Sequence, residues 1–178
     1  MPPFLRRAFR RVVAATRLFP FSFLGLFVLG ASLVLVLHFG LERLDLVLLV
    51  LGALGLLLCA ITLLGVVGTA LWLRRALRGG LSKEGACEGE CGYGLWTGFS
   101  LPRPWTPLVR VGWAWDSPAA RVRIHRRPGR LYEEVVLERR VRVHTVTRIF
   151  EVADVFGLCN VRFSVRRKQS LRVVPSKG

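Results

Sequence analysis

Residues able to do chemistry are few in this chain, and their spacing is loose. Cys87 and Cys91 form a Cys-x-x-x-Cys pair that could supply two thiolate ligands or a redox couple, with His125 and His144 as distant donors. Structural zinc sites commonly carry a second close pair, which this sequence lacks, so ordinary loop cysteines are the plainer reading and no metal or cofactor is assigned. Glu133 and Glu134 are adjacent, and on a strand they would point to opposite faces, which rules them out as a mutual acid/base pair. His38 ends an apolar run, and proton transfer there would need a partner that the apolar segments do not offer. No Gly-x-Ser-x-Gly elbow, phosphate loop, His-Glu-x-x-His or dinucleotide glycine pattern occurs, so a non-enzymatic protein is expected.

The arginines form the more regular pattern. Arg121, Arg123, Arg140 and Arg142 alternate with apolar residues, and if they shared one side of a sheet they could hold lipid phosphates or nucleic acid. The competing reading is the solvated face of a half-buried sheet, with long stems covering apolar neighbours. That reading is preferred over nucleic acid, because no ladder of exposed aromatics is visible between the arginines.

Two apolar segments must position everything else. Leu18 to Phe39 is uncharged for about 22 residues, and Leu46 to Leu73 for about 28, each enough to cross a hydrocarbon layer of ~30 Å at 1.5 Å per residue. The longer one must tilt or emerge into the headgroups. Gly40 to Asp45 leaves room only for a tight turn, so the pair reads as a transmembrane helical hairpin over residues 18–78. A soluble buried helix would be shorter and keep a polar stripe, and a cleaved signal peptide would have a shorter apolar run with no second span behind it. Arg6, Arg7, Arg10, Arg11 and Arg17 precede the first span, while Arg74, Arg75 and Arg78 follow the second. The positive-inside rule then places both termini in the cytoplasm and the chain in the inner membrane as a multi-pass protein. Residues 1–17 read as a basic amphipathic leader lying on the surface. Gly52, Gly55, Gly65 and Gly68 would let helices pack closely, which leaves room for self-association.

The chain has 178 residues with 27 Lys and Arg against 11 Asp and Glu, for a formal charge of +16. Much of the excess flanks the spans, yet from Gly79 onward eighteen basic and nine acidic residues remain, a surplus that suits an anionic neighbour. Residues 79–107, rich in Gly, Glu, Pro and Cys, read as a connecting loop with one short strand near Tyr93 to Trp96. From 108 to 178 the period becomes two. Strands are expected over Leu108 to Trp115, Arg121 to His125, Leu131 to Glu138, Arg140 to Val152, Val161 to Arg166 and Leu171 to Val173, with Glu133 breaking the alternation of the third. The fourth changes phase between Val143 and Phe150, which implies a bulge or bend near His144 to Val146. Short strands at this spacing with no helical period between them suggest a small antiparallel β-sandwich.

At Arg148-Ile-Phe-Glu-Val-Ala-Asp-Val-Phe-Gly-Leu158 the chain resembles the bacterial and archaeal membrane proteins that carry domain of unknown function family fifty-eight. Asp154, Phe156, Gly157 and Leu158 match that family's turn motif, with Val155 where a proline is usual, and Val173-Val174-Pro175 stands in its closing position. The physical sense is an Asp that holds a turn, a Gly at positive φ, and Phe156 and Leu158 plugging the sandwich end. The resemblance implies a two-helix hairpin, an immunoglobulin-like sandwich, and partners among MoxR-type AAA ATPases and von Willebrand A-type proteins. It carries over no catalytic residue, and the family's von Willebrand A-like domain would begin near Gly178. Three functions follow as expectations: an interaction module anchored in the lipid bilayer within a larger assembly, an anionic lipid or nucleic-acid binder through the arginine face, and a thiol or metal protein using Cys87 and Cys91.

Overall fold

Ser22 opens the first helix. In the computed structural model, which describes residues 20–79, 87–104 and 106–174, its side chain accepts from the Gly25 amide at 3.0 Å and caps α1, Phe23–Val34. The winding loosens into a π-helical segment, Leu35–Glu42, that continues the same rod. Leu44 takes a positive φ of 57° in the turn, and the Asp45 carboxylate accepts from the Val47 and Leu48 amides at 3.0 and 3.2 Å, starting α2, Leu46–Arg78. Both rods, of 20 and 33 residues, are long and apolar enough to cross a membrane. Gly52 and Gly55 face Ser32 of α1, where an added Cβ would collide with the serine backbone or hydroxyl, so these two glycines set how closely the helices approach. α2 ends at Arg78, with the Gly79 amide donating to Arg75 O at 3.1 Å, and the leader 1–17 lies outside the described residues.

The strands are β1 (Cys87–Glu90), β2 (Gly94–Pro102), β3 (Val109–Ser117), β4 (Arg121–Arg127), β5 (Arg130–Val136), β6 (Val141–Asp154) and β7 (Asn160–Val174). They form a four-stranded sheet in the order β1-β7-β6-β3 and a three-stranded sheet in the order β2-β5-β4. β1 runs parallel to β7, from Cys87 beside Leu171 to Glu90 beside Val174, while β5 pairs antiparallel with both β2 and β4. β6 and β7 join through the short loop Val155–Cys159, a length that only an antiparallel connection tolerates. Trp115, Val135, Leu137, Val146, Leu171 and Val173 form one buried cluster drawn from both sheets, so the sheets share a core. Val141 and Val143 pack against the same cluster as Val146, so β6 exchanges its inward face between them.

Two expectations are corrected here. The stretch 79–107 holds more than the one short strand expected near Tyr93 to Trp96: β2 overlaps that strand and runs on to Pro102, and β1 precedes it. β1 draws its hydrogen-bond partner from β7, far along the chain, and β2 carries a register shift between Trp96 and Ser100 with Gly98 at φ 73°, which hides its alternation. The two short strands expected at the end are one strand, β7, since the polar run Arg166 to Ser170 stays in period and turns Gln169 into the core.

The residues sort into two compact parts. One holds the helices through Leu71 with Thr106–Arg110 and Val152–Arg162; the other holds Trp72 onward, Val111–Glu151 and the strand from Phe163. In the first part the loop after β6 is stitched to the start of α1. The Ser22 amide donates to Leu158 O at 2.8 Å, the Ser22 hydroxyl donates to Gly157 O at 2.5 Å, and the Asn160 amide donates to Pro20 O at 2.7 Å. Thr62 donates its hydroxyl to Leu58 O at 2.9 Å, whereas Thr69 reaches the Thr106 hydroxyl at 3.0 Å.

Candidate interaction surface

Glu133, the residue that breaks the alternation of β5, is the centre of a buried polar network. Its carboxylate accepts from Thr97 Oγ1 at 2.6 Å, from the indole nitrogens of Trp113 and Trp115 at 2.6 and 3.0 Å, and from Arg148 Nε and Nη2 at 3.0 and 2.9 Å. Arg148 also donates to Gln169 Oε1 at 2.7 Å and lies 4.3 Å above the Phe99 ring. Gln169 in turn donates to Thr97 O at 3.0 Å. The side chains of Arg148 and Glu133 are 1% and 0% exposed, and each meets an opposite charge plus hydrogen bonds, the condition under which a buried ion pair is tolerated. Every carboxylate oxygen here is engaged by the protein itself. The network organises the core and offers no open acid or base.

The other face of β5 points outward and is built differently. In register across the three-stranded sheet, Glu134 lies between Trp96 and Arg123, and Tyr132 between Ser100 and His125. His125 Nε2 sits 2.6 Å from Glu134 Oε2, and the Trp96 ring is 5.0 Å from the imidazole. The Arg127 guanidinium lies 5.9 Å from the Trp96 centroid and 5.4 Å from that of Tyr132, a cation held between two aromatic rings. Arg130 donates to Ser100 Oγ at 3.3 Å. Trp96 stays 48% exposed, and Arg121, Arg123 and Arg127 are exposed along the same strand, so this face combines fixed positive charge with aromatic surface.

The four arginines named from sequence do not share one sheet. Arg121 and Arg123 stand on β4, whereas Arg140 precedes β6 and Arg142 lies on it, in the other sheet. Both pairs are exposed, and Arg121 is drawn to Glu138 at 3.0 Å. Period-two reading placed them correctly as outward residues but could not assign strands to sheets. Trp96, Arg127 and Tyr132 were missed; an outward aromatic on each of two strands was the available signal.

Asp154 holds the expected turn: its carboxylate accepts from the Phe156 amide at 2.6 Å and from the Cys159 amide, and Gly157 takes a φ of 75°. Leu158 is 3% exposed, but Phe156 is 49% exposed, so Phe156 does not plug a sandwich end. The loop was pulled instead to the start of α1, and Phe156 was left outside. Burial lifts the Cys159 thiol above its ordinary value, opposed by its hydrogen bond with Thr62 and reinforced by the nearby Asp154 charge and by Cys59.

Cys87 and Cys91 pack at the margin of the buried cluster, and the Cys87 thiol points to Thr97 O at 3.4 Å. His125 is engaged by Glu134, His144 is exposed on β6, and among the described residues no group of three or more His, Cys, Asp or Glu gathers to hold a metal. His38 does have a partner: Glu42, one turn on, lies 2.6 Å from its Nδ1 because the π-helical winding extends past Gly40 to include it. Compared with known protein families and with curated proteins, the chain matches none.

Proposed function

We propose that this chain is a non-enzymatic interaction module anchored in the cytoplasmic membrane by a helical hairpin, with both termini in the cytoplasm and an immunoglobulin-like β region serving a larger assembly. The observation that carries the reading is the outward surface of the two helices. Phe23 is 93% exposed, Phe27 73%, Leu46 73% and Leu64 72%, an apolar area that water would penalise and acyl chains would not. Arg75 and Arg78 in the last turn of α2 support the cytoplasmic orientation. The resemblance at Asp154 to Leu158 supports family fifty-eight, and with it MoxR-type ATPases and von Willebrand A-type proteins as partners.

The test is thiol labelling with a membrane-impermeant reagent directed at Cys87 and Cys91 in intact cells and in inverted vesicles. Labelling confined to inverted vesicles is expected. Labelling of intact cells would move the β region outside and end the ATPase reading, and recovery of the chain without detergent would end the membrane reading.

A second reading has its own support. Trp96, Arg127 and Tyr132 beside Arg123 form the cation and aromatic combination that suits an anionic ligand, a lipid headgroup or a nucleic acid. The Glu134 carboxylate on the same face is turned to the His125 imidazole, 2.6 Å away.

A further inference from the structure

The loop between β6 and β7 has a rigid base and an apolar tip. Asp154 braces it through the Phe156 and Cys159 amides, the Val155 amide donates to Leu108 O at 3.0 Å, and three hydrogen bonds tie Gly157, Leu158 and Asn160 to Pro20 and Ser22. Its inner residues, Leu158 and Cys159, are buried, whereas Val155 and Phe156 are 41% and 49% exposed. Single exposed hydrophobes are ordinary on protein surfaces. Here two adjacent ones are clamped to the cap of an apolar helix whose first residue, Phe23, is 93% exposed and whose next outward ring, Phe27, is 73% exposed.

The exposed tip therefore continues an apolar surface instead of interrupting a polar one. We infer that Val155 and Phe156 enter the interfacial layer of the bilayer beside the first turn of α1, making this loop a membrane contact in addition to the two helices. The occupant of this surface is lipid at the boundary of headgroup and acyl chain, where an aromatic ring and a branched aliphatic side chain gain most from leaving water. The inference rests on the reading that α1 lies in a membrane. It also gives the turn motif a purpose: Asp154 and Gly157 shape a loop whose inner side docks the helix cap and whose outer side meets lipid.

The experiment uses the full chain in vesicles of phosphatidylethanolamine and phosphatidylglycerol. Cys87 and Cys91 are replaced by serine, and the buried Cys59 and Cys159 are kept. A spin label is placed at Phe156→Cys, at Phe27→Cys on the helix and at Arg126→Cys, an exposed position near the end of β4, and its relaxation by oxygen is compared with that by a water-soluble nickel complex. The label at 156 should give an oxygen-to-nickel ratio several-fold above that at 126 and near that at 27. A lipid-like ratio at 27 with a water-like ratio at 156 overturns the inference and leaves the membrane reading intact. Water-like ratios at both positions overturn the membrane reading itself. Low accessibility to both relaxants at 156 would mean that protein, such as a second copy, covers the loop, and overturns the lipid assignment. A label at Val155→Cys supplies the second check: adding Phe156→Asp should shift it toward water, and an unchanged ratio would remove Phe156 as the inserting group.

Discussion

At the scale of single residues, the two buried charges matter most. Glu133 and Arg148 neutralise each other inside the β core, and removing one strands the other. Arg148→Met alone, or Glu133→Leu alone, should lower stability by about 3–5 kcal/mol, read as a drop in the thermal unfolding midpoint of the purified chain. The double variant should recover a large part of that loss, because it removes both desolvation penalties and leaves apolar groups of similar volume. A double variant as unstable as the sum of the singles would mean that the indole and amide partners, not the charge pair, hold the core. Cys159 behaves in the opposite sense. The folded chain keeps its proton where an unfolded thiol, with an ordinary value of 9.0, would lose it, so its contribution is present at lower pH and fades as pH rises beyond about 9. Cys159→Ser should flatten that alkaline fall in a series of unfolding curves, and an alkylating reagent at neutral pH should modify Cys87 and Cys91 well before Cys159.

At the scale of elements, the three-stranded sheet is asymmetric: one side of β5 buries Glu133, Leu131 and Val135, and the other presents Tyr132 and Glu134. Trp96→Ala and Arg127→Ala should each weaken binding of a soluble anionic probe, a short oligonucleotide or an inositol polyphosphate, to the detergent-solubilised chain, with the arginine variant also weakening the dependence on salt. Fluorescence anisotropy of the labelled probe across a salt series measures both effects. Flat salt dependence in the unaltered chain would dismiss the second functional reading. The helices follow a different logic. Their caps, Ser22 and Asp45, come from local chemistry, whereas the close approach at Gly52 and Gly55 is made against Ser32 of the other helix and the position of β1 depends on β7, which begins at Asn160.

At the scale of the whole molecule, charge and hydropathy act together. A chain of formal charge +16 with two apolar rods suits a bilayer whose inner surface is negative, and the thiol-labelling pattern in cells and inverted vesicles is the readout of that arrangement. The spin-label comparison of positions 27, 126 and 156 asks the same question at finer depth. Detergent extraction should be needed to recover the chain in either case.

Amino-acid order by itself determined the two apolar helices, the tight turn between them, the start and end of β3, β4 and β6 to within a few residues, and the outward placement of Arg121, Arg123, Arg140 and Arg142. These features depend on neighbours three or four positions apart in a helix and two apart in a strand, so they are written locally. Tertiary structure decided which strands share a sheet, that β1 precedes the strand expected near Tyr93 to Trp96, and that Glu133 and Arg148 meet in the core. It also decided that Phe156 faces outward while Leu158 docks on the helix cap. Arg148 shares its phase with the buried Val146, Phe150 and Val152, which could have marked it as inward, but only its partner on β5 explains why a charge is stable there. A charge pair, a parallel strand partner and a docked loop join residues distant in sequence, and no local period encodes the pairing that fixes them.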